Sequence, residues 1–280
     1  MPIRTILVSL TTPDAARQVM GPAVELARRE NAHLVGLHTR EAIVVYPGIA
    51  MHVSTADFTA FEQSQREQSE QIRQIFEDHT RIEDFVSEWR DVEAQSMTAS
   101  DRIIEHARAA DLVIMPQGDP DHDRPDQHHI QDRIIRKSGR PVLVIPYAGS
   151  FQSVGHKVLV GWAPTREAAR AAHDAIPLFA QGGEALIVTA HHARAGHALS
   201  DETAHELALC YDRHGIRSQV VDRTDDGLSV GSVLQNEAFE RGCDLIVTGA
   251  FGHSRIYDLV IGATTSELLE SMTVPVLFSS

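Results

Sequence analysis

The chain repeats itself, and the repeating pieces are short apolar runs. Ile6-Leu-Val8 followed by Asp14-Ala-Ala-Arg17 is echoed by Val158-Leu-Val160 followed by Glu167-Ala-Ala-Arg170. Asp111-Leu-Val-Ile-Met-Pro116 is echoed by Asp244-Leu-Ile-Val-Thr-Gly249, and Arg140-Pro-Val-Leu-Val-Ile145 by Val274-Pro-Val-Leu-Phe278. Three matches in one order imply a duplicated domain, expected over residues 1–149 and 150–280. The join falls in the small, polar stretch Ala148–Gly155.

Within each half, apolar runs alternate with stretches of helical period. In the second half the expected strands are Lys157–Gly161, Glu184–Ala190, Arg217–Asp222, Cys243–Thr248 and Val274–Phe278. The expected helices are Thr165–Ala180, Asp201–His214, Val230–Arg241 and Thr264–Ser271. Runs such as Leu245-Ile-Val and Val142-Leu-Val-Ile are apolar on both faces, as strands covered by helices on each side must be. The fold class is therefore α/β, with parallel, doubly wound sheets and right-handed crossovers. The first half carries extra length, where Thr55–His79 reads as one long, polar, amphipathic helix.

Bulk properties exclude several function classes. A net charge of −14 disfavours nucleic acid and anionic membrane as the main partner. No apolar run reaches bilayer length, and Met1–Val8 lacks a signal-peptide layout. Cys210 and Cys243 give neither a disulfide framework nor zinc spacing, so a reducing cytoplasm is the expected location.

The chain's most chemical segment is Asp244-Leu-Ile-Val-Thr-Gly249-Ala-Phe-Gly252-His-Ser254, followed by Gly262-Ala-Thr264-Thr265. A strand that ends in paired glycines, then a glycine opening a helix, is how an α/β sheet offers bare N–H groups to phosphate. It is neither a Walker A loop nor a Rossmann G-x-G-x-x-G. The same residues also suit a plain strand-to-loop turn and a threonine helix cap, and spacing alone leaves both readings open.

Gly249, Gly252 and Gly262 have the G-x2-G-x9-G spacing of the nucleotide-binding universal stress proteins, and the ending Met272-Thr-Val-Pro275-Val-Leu277 resembles that family's last strand. The layout resembles the tandem form, with two five-stranded domains packed as a pseudo-dimer. The resemblance implies a stress-response sensor or regulator binding ATP or another adenine nucleotide, with or without Mg²⁺, in the second half. Gly249, Gly252, His253, Gly262, Ala263, Thr264 and Thr265 would lie around phosphates and ribose. Gly161, Trp162, Ala163 and Thr189, at the ends of the first two strands, would flank the adenine. Two positions depart from the family pattern: Ala263 replaces a hydroxyl after the third glycine, and Ala163 replaces an acidic residue. Each lost hydrogen bond costs about 1 kcal/mol, or roughly 5-fold in affinity, so weakened binding is expected.

The first half departs further. Gln117-Gly-Asp-Pro-Asp-His-Asp123 stands where the glycine turn would be, with three aspartates that repel phosphate, and Thr11 takes the acidic position. That half is expected to bind no nucleotide. A homodimer through the other domain or the long helix, and an unidentified protein partner, are further expectations. No catalytic residue stands out. His253 beside Ser254 lacks a G-x-S-x-G elbow, and a slow ATPase or phosphotransferase would need Asp258 or His253 near the phosphates. The pairs His128-His129 and His191-His192 diverge in direction and lack metal spacing, so no metal site is expected. Cys243, at the start of a buried strand, reads as inert packing.

Overall fold

A computed structural model of the protein describes residues 2–40, 55–95, 97–119, 130–191, 198–224, 227–251 and 263–280. In the first half, strands β1 (Thr5–Ser9), β2 (His33–Arg40), β3 (Ser87–Glu93), β4 (Leu112–Pro116) and β5 (Val142–Ile145) alternate with helices α1 (Pro13–Glu30), α2 (Thr55–Thr80), α3 (Ala99–Ala107) and α4 (Ile130–Lys137). The second half repeats this with β6 (Lys157–Trp162), β7 (Glu184–His191), β8 (Arg217–Thr224), β9 (Leu245–Gly249) and β10 (Val276–Ser279). Its helices are α5 (Arg166–Asp174), α6 (Ala198–Arg213), α7 (Val230–Arg241) and α8 (Ala263–Ser271).

The ten strands form one sheet in the order β3-β2-β1-β4-β5-β10-β9-β6-β7-β8. Each half is parallel and doubly wound, and the halves meet where β5 and β10 run antiparallel. The register there pairs Val276 with Val144, Leu277 with Leu143 and Phe278 with Val142. Val142 and Val276 are equivalent in the two repeats, so exchanging the halves maps this pairing onto itself. A pseudo-twofold therefore passes through the Leu143–Leu277 pair.

Alternation along the strands feeds a core on each face of the sheet. Ile6, Val8, Val158 and Val160 point to the face covered by α1, α2, α5 and α6. Leu7, Val113, Leu159 and Ile246 point to the face of α3, α4, α7 and α8. Both cores cross the β5–β10 seam without a break. A side chain of α1 ties the halves further. Arg29 donates to the Val154 carbonyl at 3.1 Å and to that of Leu178 at 2.8 Å, both in the second half.

The repeated aspartates do one job twice. Asp111 accepts from the N–H groups of Arg4 and Thr5 at 2.8 and 3.0 Å. Asp244 accepts from His156 and Lys157 at 2.9 and 3.1 Å. Each carboxylate thus satisfies the orphan donors where the first strand of its half begins. The helices start on side-chain caps: the hydroxyls of Thr12, Thr98, Thr165 and Ser229 each accept a backbone N–H of the first turn.

Several boundaries move from their sequence expectation. The Thr165–Ala180 helix stops at Asp174 and passes into a 3-10 turn over Ile176–Leu178, where Pro177 lacks the N–H an α-helix needs. The last strand starts at Val276, after Pro275, rather than at Val274. The long helix runs Thr55–Thr80, and buries Ile72 and Phe76 against the sheet, with the Phe76 ring over Gly36. Both last strands are used inside the chain, which leaves β3 and β8 as the sheet's edges. Among the described residues no helix is long and apolar enough to cross a membrane.

Leu277 is fully buried on the pseudo-twofold, among strands of both halves. Leu277→Ala is expected to cost about 2–5 kcal/mol of stability, read as a lowered urea midpoint.

Candidate functional site

In the second half β6 lies between β7 and β9, and the chain leaves it to opposite sides. Helices α5 and α6 cover one face, and α7 and α8 the other. The switch point of the sheet therefore falls between β6 and β9, at their C-terminal ends, where such sheets hold ligands. Since β10 is parallel to β9, the helix between them must start at this same edge. Gly161, Trp162, Ala163, Thr189, Gly249 and the α8 residues Ala263, Thr264 and Thr265 are thereby gathered on one side of the sheet. Gly252, His253 and Gly262 lie outside the described residues.

Gly249 is glycine for a packing reason. A Cβ there would sit 2.5 Å from the Ala168 nitrogen and the Glu167 carbonyl carbon, in the first turn of α5. Its missing side chain lets α5 seat against the end of β9. The next residues turn sharply: Ala250 donates to the Ser279 carbonyl at 2.7 Å, and Phe251 takes φ +63°, a left-handed conformation costly for a bulky side chain. The Arg136 guanidinium, from α4 of the first half, lies 3.5 Å above the centre of the Phe251 ring.

The flanking side chains are already engaged. Trp162 donates its indole N–H to the Thr203 hydroxyl of α6 at 3.1 Å. Thr189 is fully buried and donates to the exposed Asp222 carboxylate of β8 at 2.8 Å. Thr265 is also buried, whereas Thr264 is half-buried and Ala263 exposed at the helix start. Thr264 thus carries the more accessible hydroxyl. Glu267 fixes α8 to its neighbour, accepting hydrogen bonds from Ser229 and Ser232 at the N-terminus of α7.

The first half builds the same edge differently. Gln117, equivalent to Ala250, is buried, donates to the Leu269 carbonyl at 2.8 Å and accepts from the Tyr147 N–H at 3.2 Å. His38 holds the place of Thr189. It is buried, donates from Nδ1 to the Leu10 carbonyl at 2.7 Å and stacks on Trp89. Asp91, equivalent to Asp222, accepts from Ser69 and Arg40. Burial is the main reason the His38 pKa falls below its ordinary value; Asp91 opposes this and Arg40 adds to it.

A concavity of about 230 Å³ lies at the other end of the first-half strands, lined by Thr5, His33, Arg90 and His106 among others. Its charges are already matched. Glu88 accepts from Arg90 at 2.8 and 3.0 Å, Arg90 contacts His106 Nδ1 at 3.3 Å, and His33 Nε2 is 3.5 Å from Glu88. Among the described residues no cluster of three or more His, Cys, Asp or Glu could hold a metal. Cys243 is buried, and burial pushes its thiol pKa up to about 11, far from a reactive thiolate. His128, His129 and His192 lie outside the described residues.

The model of the universal stress protein family matches the chain twice, over residues 2–146 and 155–279. The chain belongs to the universal stress protein family. Its full length, in the tandem arrangement, is similar to a universal stress protein from Archaeoglobus fulgidus DSM 4304 (TM-score 0.73, 15% identity, 98% of this chain and 96% of that one). It is also similar to a functionally unknown protein from Pseudomonas aeruginosa PAO1 (TM-score 0.60, 15% identity, 99% and 92%). At that identity the likeness concerns the fold. No protein of curated function matches the chain.

Two residues of this universal stress protein's second-half edge escape sequence reasoning. Asp222 lies near the end of the edge strand β8, and its partner Thr189 is known only from the β7–β8 register. Arg136 comes from the other half, more than a hundred positions upstream, and only the seam between the halves delivers it. Asp222 left one signal, a carboxylate closing an alternating strand.

Gly249→Val drives a side chain into the α5 backbone, so it should cost about 1–3 kcal/mol, seen as a lowered melting temperature without any ligand. His38 generates a pH prediction. Above about pH 6.5, the ordinary histidine value, it is neutral both folded and unfolded. As the pH falls below that, the unfolded chain takes up a proton that folded His38 resists, and stability drops. His106, whose pKa is also lowered mainly by burial, acts in the same direction. The urea midpoint should therefore fall between about pH 7 and 5.5, and His38→Gln should flatten that fall without abolishing it.

Proposed function

We propose that the second half binds ATP or a related adenine nucleotide, and that this stress-family protein works as a sensor or regulatory module. The observation that carries the reading is the placement of the β9 turn and the start of α8 at the switch point. There the backbone amides of a left-handed turn and of a helix N-terminus serve one edge. Gly249, Gly252, His253, Gly262, Ala263 and Thr264 would surround the phosphates, with Thr265 supporting the helix from inside. Gly161–Ala163 and Thr189 would border the adenine. The exposed carboxylate of Asp222 offers a ribose partner in place of the one missing at Ala163.

Mg²⁺ would enter with the phosphates, since the described residues offer no metal cluster of their own. When bound, it would neutralise phosphate charge; the protein's part is to position the nucleotide and exclude water. Absent hydroxyl and carboxylate groups at Ala263 and Ala163 make the binding weak. The first half, with Gln117 anchored across its strand ends, serves as structural partner and binds none. A homodimer of whole chains, or an unidentified protein partner, would have to use a surface other than β5 and β10, which pair with each other.

Calorimetric titration of Mg²⁺-ATP into the protein tests this. One site per chain with micromolar affinity, lost in Gly252→Val, is the expected result. Two sites per chain would overturn the assignment to one half. No heat and no thermal shift at millimolar ATP would overturn nucleotide binding and leave a protein-binding scaffold.

A further inference from the structure

The seam places α4 of the first half beside the β9 turn of the second, and α8 of the second beside the β4 turn of the first. Two contacts document the exchange. Arg136 lies over Phe251, and Gln117 donates to the Leu269 carbonyl. Arg136 and Glu270 are equivalent residues, since each stands six positions before the first residue of its last strand, Val142 and Val276. Phe251 and Gly118 are equivalent in the same way, each following a residue whose N–H donates to the last strand at 2.7 Å. The pseudo-twofold thus offers the second-half turn an arginine and the first-half turn a glutamate.

We propose that Arg136 is a phosphate-recognising residue of the second-half site, so that the site is composite and takes its anion selectivity from the first half. This rests on the nucleotide reading above. Guanidinium is charged at every relevant pH, and its fork matches phosphate oxygens in pairs. The Phe251 ring holds it from one side, and its side chain is about one-third exposed. Its ion pair with Asp132, at 3.1 Å within α4, keeps it extended near the turn and is weak enough for a phosphate to replace. The same geometry explains why one half alone would be a poorer site. Without α4 of its partner, the described residues of the β9 turn present backbone dipoles but no cation beside Phe251. At the other turn Glu270 and Asp119 add negative charge where a phosphate would need positive.

The test compares wild type, Arg136→Gln, Arg136→Lys and Glu270→Gln, each titrated with Mg²⁺-ATP, AMP and adenosine. Arg136→Gln is expected to weaken ATP about tenfold, AMP less and adenosine not at all. Arg136→Lys should recover part of the loss, and Glu270→Gln should leave ATP binding unchanged. Arg136→Gln binding ATP as tightly as wild type would overturn the proposal while leaving the nucleotide reading intact. Equal loss for ATP and adenosine would also overturn it, because that is the signature of a purely structural role. Failure of wild type to bind any of the three would overturn both.

Discussion

Everything in this molecule depends on the antiparallel pairing of β5 with β10. A parallel five-stranded sheet exposes a row of unpaired N–H and C=O groups at its last strand, an invitation to pair with another chain. Each half of this protein satisfies that edge with the other. Because the register is symmetric about Leu143 and Leu277, the halves face each other as equals, and the join resembles an assembly interface held within one chain.

The pairing carries more than main-chain hydrogen bonds. On either face of the sheet the apolar layer continues across the seam, so neither half keeps a core of its own. Arg29 of α1 reinforces this by reaching carbonyls of the second half. Arg170 of α5 does so in the opposite direction, donating to the Gly139 carbonyl at 3.2 Å. These bonds satisfy loop carbonyls around the join, which fixes the twofold relation of the helices as well as the strands. Placing α4 against the opposite strand-end turn follows from this geometry.

Much of the fold was legible because its signals are local. The doubled Asp-Leu and Pro-Val-Leu runs, apolar on both faces, specify buried parallel strands. Boundaries slipped where proline removed a donor, at Pro177 and Pro275. The site was less legible, for a different reason. Gly249 reads in sequence as room for phosphate, yet its Cβ position is occupied by α5. Thr264 and Thr265 are neighbours in sequence, but a 100° step along the helix sends one toward the edge and the other into the core. Asp222 and Arg136 reach the edge only through tertiary pairing, which no local pattern encodes.

Comparing equivalent positions of the two halves separates what the fold requires from what it tolerates. Asp111 and Asp244 are identical because both halves must satisfy the same orphan N–H groups where β1 and β6 begin. Arg133 and Glu267 are equivalent too, yet opposite in charge, and their partners differ accordingly. Arg133 binds the Asp101 carboxylate at 2.6 Å, whereas Glu267 accepts from Ser232 at 2.6 Å. Both clamp the last helix of a half onto the N-terminus of the preceding one, so packing needs a polar clamp there and is indifferent to its sign. Arg136 and Glu270 differ as well, and Arg136 is paired within its own helix, with Asp132. Arg136 stacks on an aromatic ring at a left-handed turn, while Glu270 stands exposed on α8. A fold indifferent to charge at these two positions leaves them to set the electrostatic potential of each strand-end edge. Arg136 contributes positive charge and Glu270 negative, so the two halves of a nearly symmetric molecule are not electrostatically equivalent at these positions.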